Sequence, residues 1–216
     1  MSRRVKNRQG KQTTYPIKDP KEIKKCIAWY EMKMNEAKTE IKKKQAYRNK
    51  MLYLVGINTA FRGEDLIQLR VCDLIKGFIS IKENKTGKHQ HFKINKKLFE
   101  QIQEYVTYMK LKDNEYMFKG QKKKTTFNGV TSDVVRPLNR QRAYKIMQEL
   151  ASGVGIIYPF GLHSLRKTFA YQYFIKNKDL VTLAKMLNHT STDTTTRYIM
   201  LENEETEKER EGFYIG

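Results

Sequence analysis

His163-Ser164-Leu165-Arg166 opens one helical stretch, Leu187-Asn188-His189 closes another, and Tyr198 stands nine residues beyond that histidine. A fixed cation, two imidazoles and a hydroxyl nucleophile thus fall within the last quarter of a 216-residue chain. Transfer at a phosphodiester needs those parts: a group to attack phosphorus, and donors already in place where charge develops on its oxygens. Phe169, Ala170, Tyr173 and Phe174 follow Arg166 at helical steps, and Leu180, Leu183, Ala184, Met186 and Leu187 lead to Asn188-His189. A further helix from Thr192 to Met200 carries Tyr198.

Working outward, Arg62 falls between a helix read from about Ala46 to Thr59 and a brief helical turn of Asp65, Leu66, Ile67 and Leu69. A side chain at such a junction can be aimed rather than buried. Phe78 to Lys82 and His89 to Ile94 alternate apolar and polar residues around Asn84-Lys85-Thr86-Gly87-Lys88, the pattern of a β-hairpin with a basic turn. Two arginines, Arg62 and Arg166, offer planar forks to nonbridging phosphate oxygens, and a hairpin lysine, Lys85 first and Lys88 second, can protonate a departing sugar oxygen. A tyrosine hydroxyl titrates near pH 10 and needs a base, a role open to His163, while His189 can donate a hydrogen bond to the phosphate. Each residue alone has an ordinary explanation: the chain has 13 tyrosines, exposed arginine is common, and histidines often cap helices. Together and in this order they are harder to dismiss.

The remaining chain supplies scaffold and charge. Lys plus Arg number 43 against 23 Asp plus Glu, a formal net charge of +20, which points to a polyanionic partner, nucleic acid first, or else to a solvated basic surface. Residues 1–18 carry Arg3, Arg4, Lys6, Arg8 and Lys11 with few apolar residues, and read as a flexible basic arm able to contact a DNA backbone. Asp19-Pro20 caps a long amphipathic helix through Ile23, Ile27, Tyr30 and Met34. Leu98, Ile102, Tyr105, Val106 and Met109 mark another helix; a loop rich in Lys122, Lys123 and Lys124 follows, facing DNA or water, and Pro137 opens a helix through Leu150 that ends near Gly153. Residues 201–216 form an acidic tail with Phe213 and Tyr214 near its end. Cys26 and Cys72 are too few for a disulfide framework and read as buried spacers in a reducing cytoplasm. No apolar run approaches a membrane span, and no cofactor or metal is expected: His89 and His91 share a strand face but lack a third ligand nearby.

At these residues the chain resembles the catalytic domain of tyrosine recombinases, the phage-integrase family, from about residue 19 to residue 200. The resemblance rests on Asn58-Thr59-Ala60-Phe61-Arg62-Gly63-Glu64-Asp65-Leu66, Lys85-Thr86-Gly87-Lys88, His163-Ser164-Leu165-Arg166, and Leu187-Asn188-His189 leading to Tyr198. It implies a mainly α fold with a small antiparallel sheet, and strand exchange through a 3′-phosphotyrosyl link to Tyr198. By position it assigns Arg62, Lys85, His163, Arg166, His189 and Tyr198 as the catalytic set, with Asp65 as the carboxylate that braces the site beside the first arginine. Double-stranded DNA is the implied partner, with assembly as a tetramer on two sites and help from accessory DNA-bending proteins. The acidic tail could dock onto a neighbouring protomer, as in relatives.

Two departures bear on that reading. Asn188 stands where a glycine commonly precedes the histidine, which affects the turn. Typical members also carry a separate N-terminal helical domain that clamps DNA, whereas only the basic arm precedes the first helix here. That suits a compact recombinase of the fimbrial-invertase kind, or a fragment or derivative that depends on other factors for binding. The competing readings are a non-catalytic DNA-binding protein, repressor or architectural factor, on the same fold, and a type IB topoisomerase-like enzyme.

Overall fold

The computed structural model describes residues 13–127, 130–189, 191–199 and 210–214. Two antiparallel helices, α1 (Pro20–Asn35) and α2 (Glu40–Thr59), form its backbone, joined by a short turn. Asp19 caps α1 by accepting from the Lys21 amide, with Pro20 in the first turn where no amide is missed. Thr39 caps α2, which therefore starts six residues before Ala46, taking in the Lys42-Lys43-Lys44 run as a solvated first turn. Within its second half α2 is buried on every side from Met51 to Gly56.

What covers it is α6 (Leu162–Asn177), and Gly56 is why α6 can approach so closely. A Cβ on Gly56 would lie 2.5 Å from Leu165 Cδ1 and 3.1 Å from Leu66 Cδ2. The glycine that weakens the helical reading of α2 is thus a packing requirement. After α2 the chain turns through Ala60, whose φ of 58° lies in the left-handed region, into the short α3 (Gly63–Gln68). The strands β1 (Leu74–Ile75), β2 (Phe78–Lys82) and β3 (His89–Lys93) form one antiparallel sheet in that order, with Ile79 opposite Phe92 and Ile81 opposite Gln90. Then come α4 (Lys96–Met109), the ribbon β4 (Lys119–Phe127) with β5 (Val130–Pro137), α5 (Arg140–Val154), α6, α7 (Leu180–Met186) and α8 (Thr192–Ile199).

Several sequence expectations change. The stretch holding Lys122, Lys123 and Lys124 is strand rather than loop, paired antiparallel with Val135, Val134 and Asp133. Pro137 ends β5 instead of opening a helix; α5 begins at Arg140, where the Asn139 side chain accepts from the Arg142 amide. The basic arm does not run free to residue 18: Ile17 is fully buried, its amide donates to Thr168 Oγ1 at 2.8 Å, and the Tyr15 amide donates to Pro159 O at 3.0 Å. Residues 1–12, with Arg3 and Arg4, lie outside the described residues, as does the tail from 201 to 209. Phe213 and Tyr214 are exposed. Cys26 is buried as expected, but Cys72 is exposed.

One large apolar core runs through α1, α2, the three-stranded sheet, α4 and α5. A smaller cluster of Ala60, Ala170, Leu183 and Leu187 joins the α2 turn to α6 and α7, and the Tyr198 ring packs against it. Among the described residues no helix is long and apolar enough to cross a membrane.

Candidate active site

The site lies where the end of α2, the start of α6 and the α7–α8 connection meet. Arg166, one turn into α6, is 1% exposed, and its guanidinium donates to Ala60 O at 2.6 Å and Leu187 O at 2.7 Å. The left-handed turn at Ala60 is what presents that carbonyl. A buried guanidinium needs such acceptors to offset lost hydration, and carbonyls satisfy it without cancelling its charge. Burial nevertheless pulls its proton affinity below the ordinary arginine value.

His189 follows α7 through Asn188, whose φ of 51° explains why glycine suits that position and why asparagine is a tolerated substitute. The His189 amide donates to Ala184 O at 2.9 Å, which fixes the turn. Its ring is held on both sides, Nδ1 lying 3.0 Å from Thr195 Oγ1 and Nε2 3.5 Å from an Arg166 nitrogen. Thr195, fully buried on α8, can donate to Ser191 O at 3.4 Å. The pattern that satisfies all partners has Nδ1–H donating to Thr195 and Nε2 accepting from Arg166. Donation from Nε2 to a phosphate then requires a second proton on the ring.

Tyr198 lies between the two imidazoles. Its ring centroid is 5.1 Å from that of His163 and 5.1 Å from that of His189, both edge-on. Arg166 Cζ is 5.7 Å and Lys167 Nζ 5.6 Å from the same ring centroid. The hydroxyl is buried without a well-formed hydrogen bond among the described residues. Burial pushes its pKa up to about 12, against the pull of Arg166 and Arg62. The two histidines move the other way. Burial, then the charges of Lys167, Arg166, Arg62 and His189, brings His163 down to about 4. Burial, then Arg166 and Arg62, with Glu83 opposing, brings His189 to about 4. Both rings are neutral at pH 7, and the phenol keeps its proton.

Arg62 precedes α3 in extended conformation, as a junction residue should. Its partner is Glu83, at 2.5 Å from Nη1 to Oε2, and not Asp65. Glu83 is 1% exposed and also accepts from Gln90 Nε2 at 2.5 Å and from the Thr86 hydroxyl. Burial raises its pKa, but hydrogen bonds from Thr86 and Asn188 and the Arg62 charge outweigh that and keep it ionised. Asp65, also buried, instead accepts from the Asn84 amide at 2.8 Å and from Asn84 Nδ2 at 2.9 Å. Asp65 thus holds the hairpin turn beside the first arginine, and the carboxylate paired with Arg62 itself is Glu83. A signal for Glu83 was present: it continues the inward register of Ile79 and Ile81, and a carboxylate on an apolar strand face needs a buried partner.

Lys85 and Lys88 are exposed in that turn, whose tip closes through Gly87 at φ 67°. Lys85 is not drawn into the cluster in this arrangement. His89 and His91 lie on the exposed face of β3, where His91 stacks on Phe78 at 5.3 Å. Lys167, which the sequence reading passed over, is 6% exposed beside Tyr198.

A mainly helical body with a small antiparallel sheet, converging on two arginines, two histidines and a tyrosine, defines a tyrosine recombinase catalytic domain. The description "Phage integrase family" matches residues 29–205, and the chain belongs to that family. It is similar to the "Probable integrase/recombinase YoeC" of Bacillus subtilis (strain 168), at 35% identity over 160 residues, 74% of this chain and 81% of that protein. It is also similar to "Tyrosine recombinase XerA" of Pyrococcus furiosus, at 26% identity over 184 residues, covering 84% of this chain and 59% of that protein. Among solved structures, the XerH site-specific recombinase in a post-cleavage complex with its difH substrate superposes with a TM-score of 0.65 at 21% identity, over 95% of this chain and 55% of that one. The catalytic domain of bacteriophage HP1 integrase gives 0.57 at 16% identity, over 86% of this chain and 87% of that one. The chain thus spans little more than half the length of XerA and XerH.

Proposed function

We propose that the chain is a site-specific DNA recombinase that cleaves and rejoins strands through Tyr198. The observation that carries this is the placing of one phenol against two imidazoles and a buried guanidinium held by two backbone carbonyls and a histidine nitrogen. Such a guanidinium stays cationic, and among the described residues no carboxylate is hydrogen-bonded to it, since Glu83, whose charge it feels, pairs with Arg62; the cluster is open to a counter-anion. A DNA phosphate supplies one.

In the proposed reaction Arg62 and Arg166 grip the nonbridging oxygens of the scissile phosphate. Tyr198 Oη attacks phosphorus and passes its proton to His163; the P–O5′ bond breaks, and Lys85, with Lys88 as the second choice, protonates the departing 5′ oxygen. A 3′-phosphotyrosyl link results, and the 5′-hydroxyl of a partner strand reverses it. With His163 at about 4 and Tyr198 at about 12, the DNA-free site is at rest. The incoming phosphate offsets the charge of Arg62 and Arg166, raises the basicity of both histidines, and lets His189 gain the proton it needs to donate. Asp65 contributes by holding the hairpin turn that carries the lysine.

The partner is double-stranded DNA in the cytoplasm, contacted by Arg3 and Arg4 of the arm, by Lys88, and by Lys122, Lys123 and Lys124 of β4, consistent with the +20 charge. Assembly is as a tetramer on two sites, with DNA-bending proteins assisting. Nicked suicide DNA carrying candidate sites tests the reading in chelator: the native protein should form a covalent adduct and Tyr198→Phe none. Equal adduct from Tyr198→Phe would refute it.

A further inference from the structure

The helix that supplies His163 and Arg166 has a second face, turned toward the segment before α1. Lys167 Nζ donates to Thr14 O at 2.8 Å, and Thr168 Oγ1 accepts the Ile17 amide at 2.8 Å. Gln172 Nε2 donates to Lys18 O at 2.7 Å and to Ile17 O at 3.2 Å. Three α6 side chains thus hold residues 14–18 through backbone groups, a grip that depends on conformation rather than on the identity of the segment's side chains. Lys167 differs from the other two because its ammonium also faces the reacting group, 5.6 Å from the centre of the Tyr198 ring.

Lys167 is 6% exposed, so strong acceptors must replace the hydration its ammonium has lost. A carbonyl and the face of an aromatic ring are such acceptors. One belongs to the segment before α1 and the other to α8, and the ammonium joins them, so whatever moves Thr14 is felt at Tyr198.

We propose that Lys167 is a positioning residue for strand cleavage: its ammonium, seated on the Thr14 carbonyl, fixes the Tyr198 ring against α6 and makes the segment preceding α1 a working part of the active site. This rests on the assignment of Tyr198 as nucleophile. The basic arm continues directly from Thr14, so arm contact with DNA is mechanically linked to the nucleophile. Lys167 also acts on His163, whose charged surroundings are Lys167 and Arg166 from α6, Arg62 from the α2–α3 junction and His189 from the α7–α8 connection. Lys167 is the largest charge contribution among them.

The test measures single-turnover cleavage of nicked DNA across pH, together with an NMR titration of His163, in the full chain. Lys167→Met keeps the stem and removes the charge; it should cleave on the order of 10- to 100-fold more slowly at saturating DNA, the cost of a misplaced reacting group. Its DNA affinity should stay within about twofold, since one interior residue is not a phosphate contact. Lys167→Arg should recover most of the rate. With one cation gone the His163 midpoint should rise from about 4, carrying the acid limb of the rate profile upward. Unchanged cleavage by Lys167→Met, or Lys167→Arg as slow as Lys167→Met, would overturn the proposal. If Lys167→Met does not fold, Gln172→Ala decides: it loosens the same segment without touching the site, and should slow cleavage several-fold, a normal rate counting against the coupling. If the native protein forms no adduct, the recombinase reading fails, and the His163 titration still judges the contact, an unmoved midpoint refuting it.

Discussion

The two arginines of the site are held by opposite means. Arg166 is fixed by neutral acceptors, the carbonyls of Ala60 and Leu187, at the join of α2, α6 and α7. Arg62 is fixed by an ionised carboxylate, Glu83, beside the hairpin. The first arrangement gives a rigid cation with its charge intact. The second gives a cation already paired, which in the proposed reaction a phosphate must share or take over. One side of the site is therefore a rigid cation, and the other is a latch set by the β2–β3 turn, where Asp65 secures Asn84 and Glu83 secures Arg62.

The largest effect is expected on the rigid side. Arg166→Ala should cut adduct formation by about 10³-fold, the scale for removing a preorganised donor from a transition state, and leave most DNA affinity. It also strands two buried carbonyls, so stability should drop by about 2 kcal/mol or more by denaturant titration. A variant that still forms adduct would show that the cation is not needed. On the latch side, Glu83→Gln keeps the size of the side chain but turns one acceptor oxygen into an amide donor and leaves Arg62 without its counter-charge, which should cost about 3 kcal/mol of stability. Cleavage should fall less steeply than in Arg166→Ala, because the freed Arg62 can still reach phosphate; a greater loss would reverse the proposed ranking.

Gly56→Ala acts on neither arginine directly. The added methyl would meet Leu165 at 2.5 Å and lever α6 from α2. We expect about 1–3 kcal/mol of destabilisation, or a melting temperature lower by roughly 2–10 °C in calorimetry. An unchanged melting point would mean that Leu165 yields freely. Acid should have the mildest effect. His163 and His189 are held near 4 in the folded chain against 6.5 in the unfolded one. Between those values the unfolded chain binds more protons, so stability is full above pH 6.5 and declines as pH falls toward 4. Replacing both histidines with glutamine should flatten that decline in a pH series of melting curves.

The residues legible in the sequence are those at element boundaries: Arg62 between helices, His163 and Arg166 at the start of α6, His189 after α7, and Tyr198 on α8. Boundaries leave marks in periodicity, and the order of these marks matched the structure. Glu83 leaves a partial mark, its place in the inward register of Ile79 and Ile81, while its partner Arg62 is remote in sequence. Lys167 leaves none, because its partner Thr14 is remote and a lysine in a chain with 43 basic residues reads as surface. The β4–β5 ribbon was obscured because Lys122-Lys123-Lys124 breaks the alternation that marks a half-buried strand. Residues 13–18 looked like arm because their anchoring is through backbone groups, which composition does not record.

The proposed reaction turns on which hydroxyl meets phosphorus. Covalent complexes trapped on nicked DNA can be digested with nuclease and protease and the nucleotide-bearing peptide sequenced by mass spectrometry. The added nucleotide is expected on Tyr198 and on none of the other 12 of the 13 tyrosines. A nucleotide on a different tyrosine, or on a serine or histidine, would contradict it.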